Sequence, residues 1–243
     1  DDNQDEVQEE GHSDEVLEKL LPQVGTLFHT WKFRDRVSDP DSNEARAPVK
    51  KLSDGGGRLR DLRSATDQDW YADPEHGLSL EPAETTTHTL VYKPSVGLEG
   101  GGPTMWWGSI TTDQQPMDDD SLVYDSEPLD APIEILGRPI AKLNVSADAT
   151  RANWVGRISD VAPDGQVAQV AGAAFNGTHR FSAREPEDVV PGEVFGLEIN
   201  LHFTSWVFPA GHRIRVAISN SQWPMLWPSS IPMTSTLAIG TET

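Results

Sequence analysis

The hydroxyls, imidazoles and carboxylates of this chain are the groups from which a reactive site could be assembled. Ser219 and Ser221, in AISNSQWP, close a stretch of clean polar–apolar alternation. A serine nucleophile of the α/β-hydrolase kind needs a sharp strand-to-helix elbow, written G-x-S-x-G. No such pentapeptide occurs in the 243 residues, so both serines read as residues in or beside an antiparallel strand. His12, His29, His76, His88, His179, His202 and His212 are scattered and form no H-E-x-x-H or comparable pair, which removes the ligand spacing of a zinc hydrolase. His202 and His212 fall at outward or strand-start positions, where surface or turn hydrogen bonding is expected. Asp118, Asp119 and Asp120, in MDDDS, offer hard oxygen ligands of the kind Ca²⁺ takes, but without the alternate spacing and glycine of an EF-hand loop. A solvated acidic turn is the expectation there, and Asp160 and Asp164 in SDVAPDG read as turn formers. Trp106 and Trp107 (GGGPTMWWGS) and Trp223 and Trp227 (QWPMLWP) fall in loops. Loop tryptophans can line a pocket, stack on sugar, fill a domain interface or cap a core; the residues alone leave these open.

Composition narrows the classes. Thirty-nine acidic residues against 19 basic give a formal net charge of −20, which repels phosphate backbones and anionic membrane surfaces. Neither a nucleic-acid nor a membrane partner is expected. With no cysteine, disulfides, thiol nucleophiles and Cys-ligated zinc are excluded. DGGGR at 54–58 lacks the Gly-Lys-Ser/Thr of a phosphate-binding loop, and no cofactor is expected. The opening DDNQDEVQEE has neither the basic start nor the apolar core of a signal peptide, which tilts an otherwise open localisation toward the cytoplasm.

The elements that must position these groups are mostly strands. Residues 1–15 are an acidic tail. Ser13 followed by Val16, Leu17, Leu20 and Leu21 is an N-cap with an apolar stripe, so a helix is expected over about 13–33, interrupted at Pro22 and Gly25. The organisation expected is a tail, short helix and linker over 1–69, then one domain over 70–243. In that second part TTTHTLVYKP, PIAKLNVSAD, NWVGRISDV, QVAQVAGAAF, EVFGLEINLHFT and GHRIRVAISNS each alternate or run as strands between Pro/Gly turns. In EVFGLEINLHFT, Phe195, Leu197, Ile199, Leu201 and Phe203 share the inward face. In GHRIRVAISNS, Ile214, Val216 and Ile218 face a dry side, and Arg213, Arg215 and Ser219 a wet one. Many short strands with no helical run between them specify an all-β antiparallel sandwich or jelly roll.

WVGRISDVAPDGQV, PGEVFGLEINL and FPAGHRIRVAISNSQWP, in that order, resemble the C-terminal β-sandwich domain of the CocE/NonD (cocaine esterase) and X-Pro dipeptidyl-peptidase-like serine hydrolases. YKPS…GGGPTMWWG…DQQP resembles that domain's opening segment, and LVYDSEPLDAPIEILGRPIAKLNVSAD its next strands. The likeness covers about residues 70–239. It implies a galactose-binding-like jelly roll packed on a separate α/β-hydrolase domain, in the same or another chain, that carries the Ser-Asp-His triad. No catalytic residue is then expected in this chain, which should be inactive alone. Met105, Trp106 and Trp107 would line the substrate pocket for a small ester or peptide. On the same likeness residues 13–33 stand where the helix closing the hydrolase domain lies. His12 is then the one candidate for the triad histidine, without the family's Gly-Pro-Trp context. DQQPMDDDSLVY lacks the Arg common in the family, and the family's last strand is either shortened, replaced by TSTLAIG, or missing. A stand-alone carbohydrate- or ligand-binding jelly-roll module is the alternative, and homo-oligomerisation stays open.

Overall fold

A computed structural model of the protein describes residues 67–97 and 113–240. The helix expected over 13–33, the acidic tail and His12 lie outside the described residues. In chain order the strands are β1 (Tyr71–Ala72), β2 (Gly77–Ser79), β3 (Thr86–Val91), β4 (Leu122–Ser126), β5 (Ile133–Gly137) and β6 (Ile140–Ala147). They continue with β7 (Asn153–Val161), β8 (Val167–Asn176), β9 (Phe195–Asn200), β10 (Thr204–Phe208), β11 (Arg213–Ser219) and β12 (Thr234–Ile239). One short helix, α1 (Gln115–Asp118), precedes β4. The fold is an all-β sandwich. A six-stranded sheet in the order β1-β2-β4-β11-β7-β8 faces a four-stranded sheet in the order β3-β12-β6-β9, and β5 and β10 form a separate ribbon. Pairing is antiparallel except between β2 and β4.

Alternation in the sequence builds the space between the sheets. Leu122 and Tyr124 of β4, Ile214, Val216 and Ile218 of β11, and Trp154 and Ile158 of β7 point inward from one sheet. Leu143 and Val145 of β6, Leu197 and Ile199 of β9, and Leu237 and Ile239 of β12 meet them from the other. Each such aliphatic or aromatic side chain taken fully out of water stabilises the fold by about 1.5–3 kcal/mol. At Gly156 a β-carbon would lie 3.6–3.8 Å from Leu201, Ala141 and Ile199, in ordinary van der Waals contact. The turn joining β7 to β8 is the expected Ala162-Pro163-Asp164-Gly165. Gly165 takes φ +91° and its N–H donates to the Ala162 carbonyl, while Asp164 Oδ1 accepts from the Gln166 N–H.

Three expectations fail, each for a physical reason. The second face of β11 is not wet: Arg215 and Ser219 are buried and Arg213 half-buried. The segment carrying α1 lies over Arg215 and Arg157, so β11 is covered on both sides there. Phe203 is 63 % exposed, because β9 ends at Asn200 and the chain turns into β10 before the alternation reaches it. Asp160 is not a turn residue; it sits in β7, buried. At the far end TSTLAI forms β12, a strand between β3 and β6.

Candidate functional site

The outer face of the six-stranded sheet holds an ion network. Outward alternation places Asp125 of β4, Arg215 of β11 and Arg157 of β7 on adjacent strands, with Arg215 in register with both Asp125 and Ser159. Above them α1 presents Asp118. Arg157 Nη2 donates to Asp118 Oδ1 at 2.8 Å and to Ser121 Oγ at 2.9 Å. Arg215 grips Asp125 with two bonds of 2.7 Å, from Nε and Nη2, while its Nη1 reaches Gln115 Oε1 at 2.7 Å and Asp118 Oδ2 at 3.2 Å. Side chains of Arg157 and Asp118 are each 1 % exposed. Burial pushes the Asp118 carboxyl up from the usual carboxylate range, and Arg157 and Arg215 pull it back. Two guanidiniums lie within 3.2 Å of its oxygens, the countercharge that opposes the effect of burial.

The solvated acidic turn expected at MDDDS is corrected at Asp118 alone; Asp119 is exposed and Asp120 half-buried, both in the turn after α1. Asp118 is buried between two arginines, Asp119 accepts from Gln115 Nε2 at 2.8 Å, and Asp120 pairs with Lys93. All three carboxylates have protein partners, and among the described residues no three His, Asp or Glu side chains are placed to hold a metal ion. A depression of about 370 Å³ opens beside the network, lined by His76, Gln115, Asp118, Asp119, Asp125 and Arg215 among others. The sequence carried one signal for this cluster that alternation alone passes over: Arg157 stands in the middle of an otherwise buried strand. A fully buried arginine demands a counter-charge.

The other reactive groups resolve as follows. Ser219 Oγ donates to the Ser221 carbonyl at 3.0 Å, and Ser221 Oγ to the Lys93 carbonyl at 2.6 Å. His212 is more than a turn residue: its Nδ1 meets Asp160 Oδ1 at 2.8 Å, while Trp206 Nε1 donates to Asp160 Oδ2 at 3.0 Å. That is the orienting half of a catalytic triad in geometry, yet none of the hydrogen bonds to the rings of His76, His88, His179 or His212 comes from a serine hydroxyl. The trio braces β7, β10 and β11 together.

Trp223 and Trp227 sit in a loop, as expected, with their rings edge-to-face at 5.8 Å. Trp223 is half-buried, and its N–H donates to the Val96 carbonyl at 2.7 Å. Gly97 packs so tightly under it that a β-carbon there would lie 2.2 Å from the Trp223 carbonyl oxygen. Trp227 is 85 % exposed and borders a groove of about 470 Å³ lined by Asn153, Asn176, His179, Asp188 and Arg151 among others. Met105, Trp106 and Trp107 lie outside the described residues. In sequence they fall between the Trp223-bonded strand of chain at Val96–Gly97 and the α1 segment anchored by the arginines.

Residues 43–241 match the family model described as the X-Pro dipeptidyl-peptidase C-terminal non-catalytic domain. The chain belongs to that family. The chain is 31 % identical over 204 residues to the cocaine esterase of a Rhodococcus species, a match covering 79 % of this chain and 33 % of the esterase. Among solved structures it is similar to an aminopeptidase from a marine sediment Thaumarchaeota archaeon, with a TM-score of 0.61, 24 % identity, and coverage of 71 % of this chain and 34 % of that one. An alpha-amino acid ester hydrolase gives a TM-score of 0.63 at 22 % identity, covering 72 % of this chain and 34 % of the hydrolase. The chain thus spans about a third of the length of these relatives.

Proposed function

We propose that this domain is the accessory C-terminal unit of an α/β-hydrolase-type serine hydrolase acting on esters or peptides. It packs on the catalytic domain and helps wall the substrate cleft. The observation that carries the reading is membership of a family described as non-catalytic and C-terminal, with a match that covers a third of its esterase relative. The triad would act by acyl transfer to serine, stabilised by an oxyanion hole, and then hydrolysis. This domain's contribution is apolar surface: Met105, Trp106 and Trp107 shape the subsite that receives the acyl or aromatic group and keep water from it. Two rigid anchors at the ends of that segment, Trp223 on Val96 and the Arg157–Asp118–Arg215 network on α1, support the assignment. The experiment is direct. Purified residues 1–243 should hydrolyse no p-nitrophenyl acetate or butyrate above the buffer rate, and turnover abolished by a serine-directed phosphonate would overturn the reading. In a hydrolase assembled with this domain, Trp106→Ala should alter kcat/KM more for bulky acyl groups than for acetyl; equal effects on both would remove the cleft role.

Trp227 favours a second reading, a carbohydrate-binding module. An exposed indole beside a groove bearing two amides, from Asn153 and Asn176, offers a stacking face and planar hydrogen-bonding groups. Retention of the protein on insoluble polysaccharide, lost in Trp227→Ala and indifferent to Ca²⁺, supports it; no retention on any polymer tested rejects it.

A further inference from the structure

We propose that His76, His88 and Tyr124 form an acid-sensitive latch. It fastens the β1–β2 hairpin and the β3 edge of the four-stranded sheet to β4 of the six-stranded sheet. The three rings are stacked. His76 and His88 lie 4.1 Å apart with planes 12° from parallel, and Tyr124 lies 5.4 Å from His76 and 5.8 Å from His88. His76 belongs to the turn between β1 and β2, His88 to β3 and Tyr124 to β4, so the stack ties three separate pieces of chain across the two layers.

The hydrogen bonds fix the tautomer of each neutral ring. Carbonyl oxygens only accept. His88 Nε2, 3.2 Å from the Pro74 carbonyl, therefore carries its hydrogen, and His76 Nδ1, 3.0 Å from the Val123 carbonyl, carries its own. That leaves His88 Nδ1 bare in the neutral ring, accepting from the Tyr124 hydroxyl at 2.9 Å. Protonation of His88 places a second hydrogen between Nδ1 and that hydroxyl, which must reverse from donor to acceptor inside the core, where Tyr124 is fully buried. It also places a cation face to face with His76.

The surroundings agree in sign. Burial, then His76, lower the affinity of His88 for a proton; the Pro74 carbonyl and the Asp73 carboxylate act the other way and are outweighed. Asp73 is the one carboxylate acting on His88 among these, and its Oδ1 is already taken by the N–H groups of Glu75 and Gly77. Burial holds the Tyr124 phenol well above its usual range, so it stays neutral. On β12 the residue in register with His88 is Leu237, which carries no charge. Beyond His76, the depression it lines carries Asp118, Asp119, Asp125 and Arg215. His76 itself takes φ +66°, an uncommon backbone for a residue with a side chain, held where its ring can stack.

The linkage follows. A histidine that binds its proton less tightly when folded leaves stability intact above the ordinary value of about 6.5 and loses it below, down to the folded value. Within that window one proton changes the folding equilibrium by up to about tenfold per pH unit. The test is ring ¹⁵N NMR of this chain. The expected result is His88 in the Nε2–H form at pH 7, titrating below 6.5, with amide shifts of Tyr71–Ser79 moving at the same midpoint. Tyr124→Phe, which removes the donor to neutral Nδ1, should raise that midpoint, and His76→Asn should raise it by removing the stacked neighbour. Titration of His88 at or above 6.5, or hairpin amides that do not follow it, overturns the latch; the wild-type titration decides alone should either variant fail to fold.

Discussion

Removing the Asp118 carboxylate is the sharpest probe of what holds α1 to the sheet. In Asp118→Ala, Arg157 keeps one hydrogen bond, to Ser121 Oγ at 2.9 Å, and otherwise remains a charge in a site 1 % exposed to water. Arg215 suffers less, because both its bonds to Asp125 survive at 2.7 Å. Breaking a buried ion pair on one side costs about 3–5 kcal/mol, since the cost is the uncompensated charge. Against a total stability of about 5–15 kcal/mol for a domain, that is a large share. At about 2–4 °C per kcal/mol for a domain of this size, the melting temperature should fall by about 6–20 °C. Scanning calorimetry and urea titration with an unchanged m-value provide the measurement. Replacing both partners, Asp118→Leu with Arg157→Met, removes the orphaned charge and should recover most of the loss. A single variant melting within about 1 °C of the parent would show that water or rearrangement compensates Arg157, and the anchoring argument would fall.

Two further substitutions test the packing. Gly177→Ala would put a β-carbon 2.5 Å from Cζ3 of Trp154, a ring 1 % exposed, and 3.1 Å from the Ala152 carbonyl, so the urea midpoint should drop by the equivalent of about 1–3 kcal/mol; an unchanged midpoint would mean that the ring shifts freely. Trp227→Ala should leave stability within about 0.5 kcal/mol, because the residue is 85 % exposed, with its ring edge-to-face against Trp223. A loss several times larger would place Trp227 in the core rather than on a binding face.

The strands were legible wherever one face alone decided the pattern. Ala141, Leu143 and Val145 alternate inward and are each buried, and Ala-Pro-Asp-Gly turns the chain because only its glycine must take a left-handed φ. Legibility failed where a second layer intervened. Arg215 and Ser219 read as solvent-facing because alternation records which residues share a face, not what covers it. Asp118 read as solvated because its partners, Arg157 and Arg215, lie 39 and 97 residues away. Phe203 read as core because a strand was extended past the point where the chain changes partner. His212 was placed correctly at a strand start, but Asp160, 52 residues earlier, is invisible to local pattern. The family likeness, by contrast, was carried by ordered motifs spread over most of the described chain, and it survives such errors.

The position of β12 has a consequence for how the protein is made. In its sheet β3 pairs with β12 alone, and β12 also carries β6, so the second layer is divided until residues 234–239 arrive. During synthesis, β3 must wait for a segment emitted almost 150 residues later, with Leu90 and His88 uncovered meanwhile. Completion of the sandwich is thereby deferred until residues 234–239 have been made, and the unpaired edge of β3 stays open to non-native contacts over that interval.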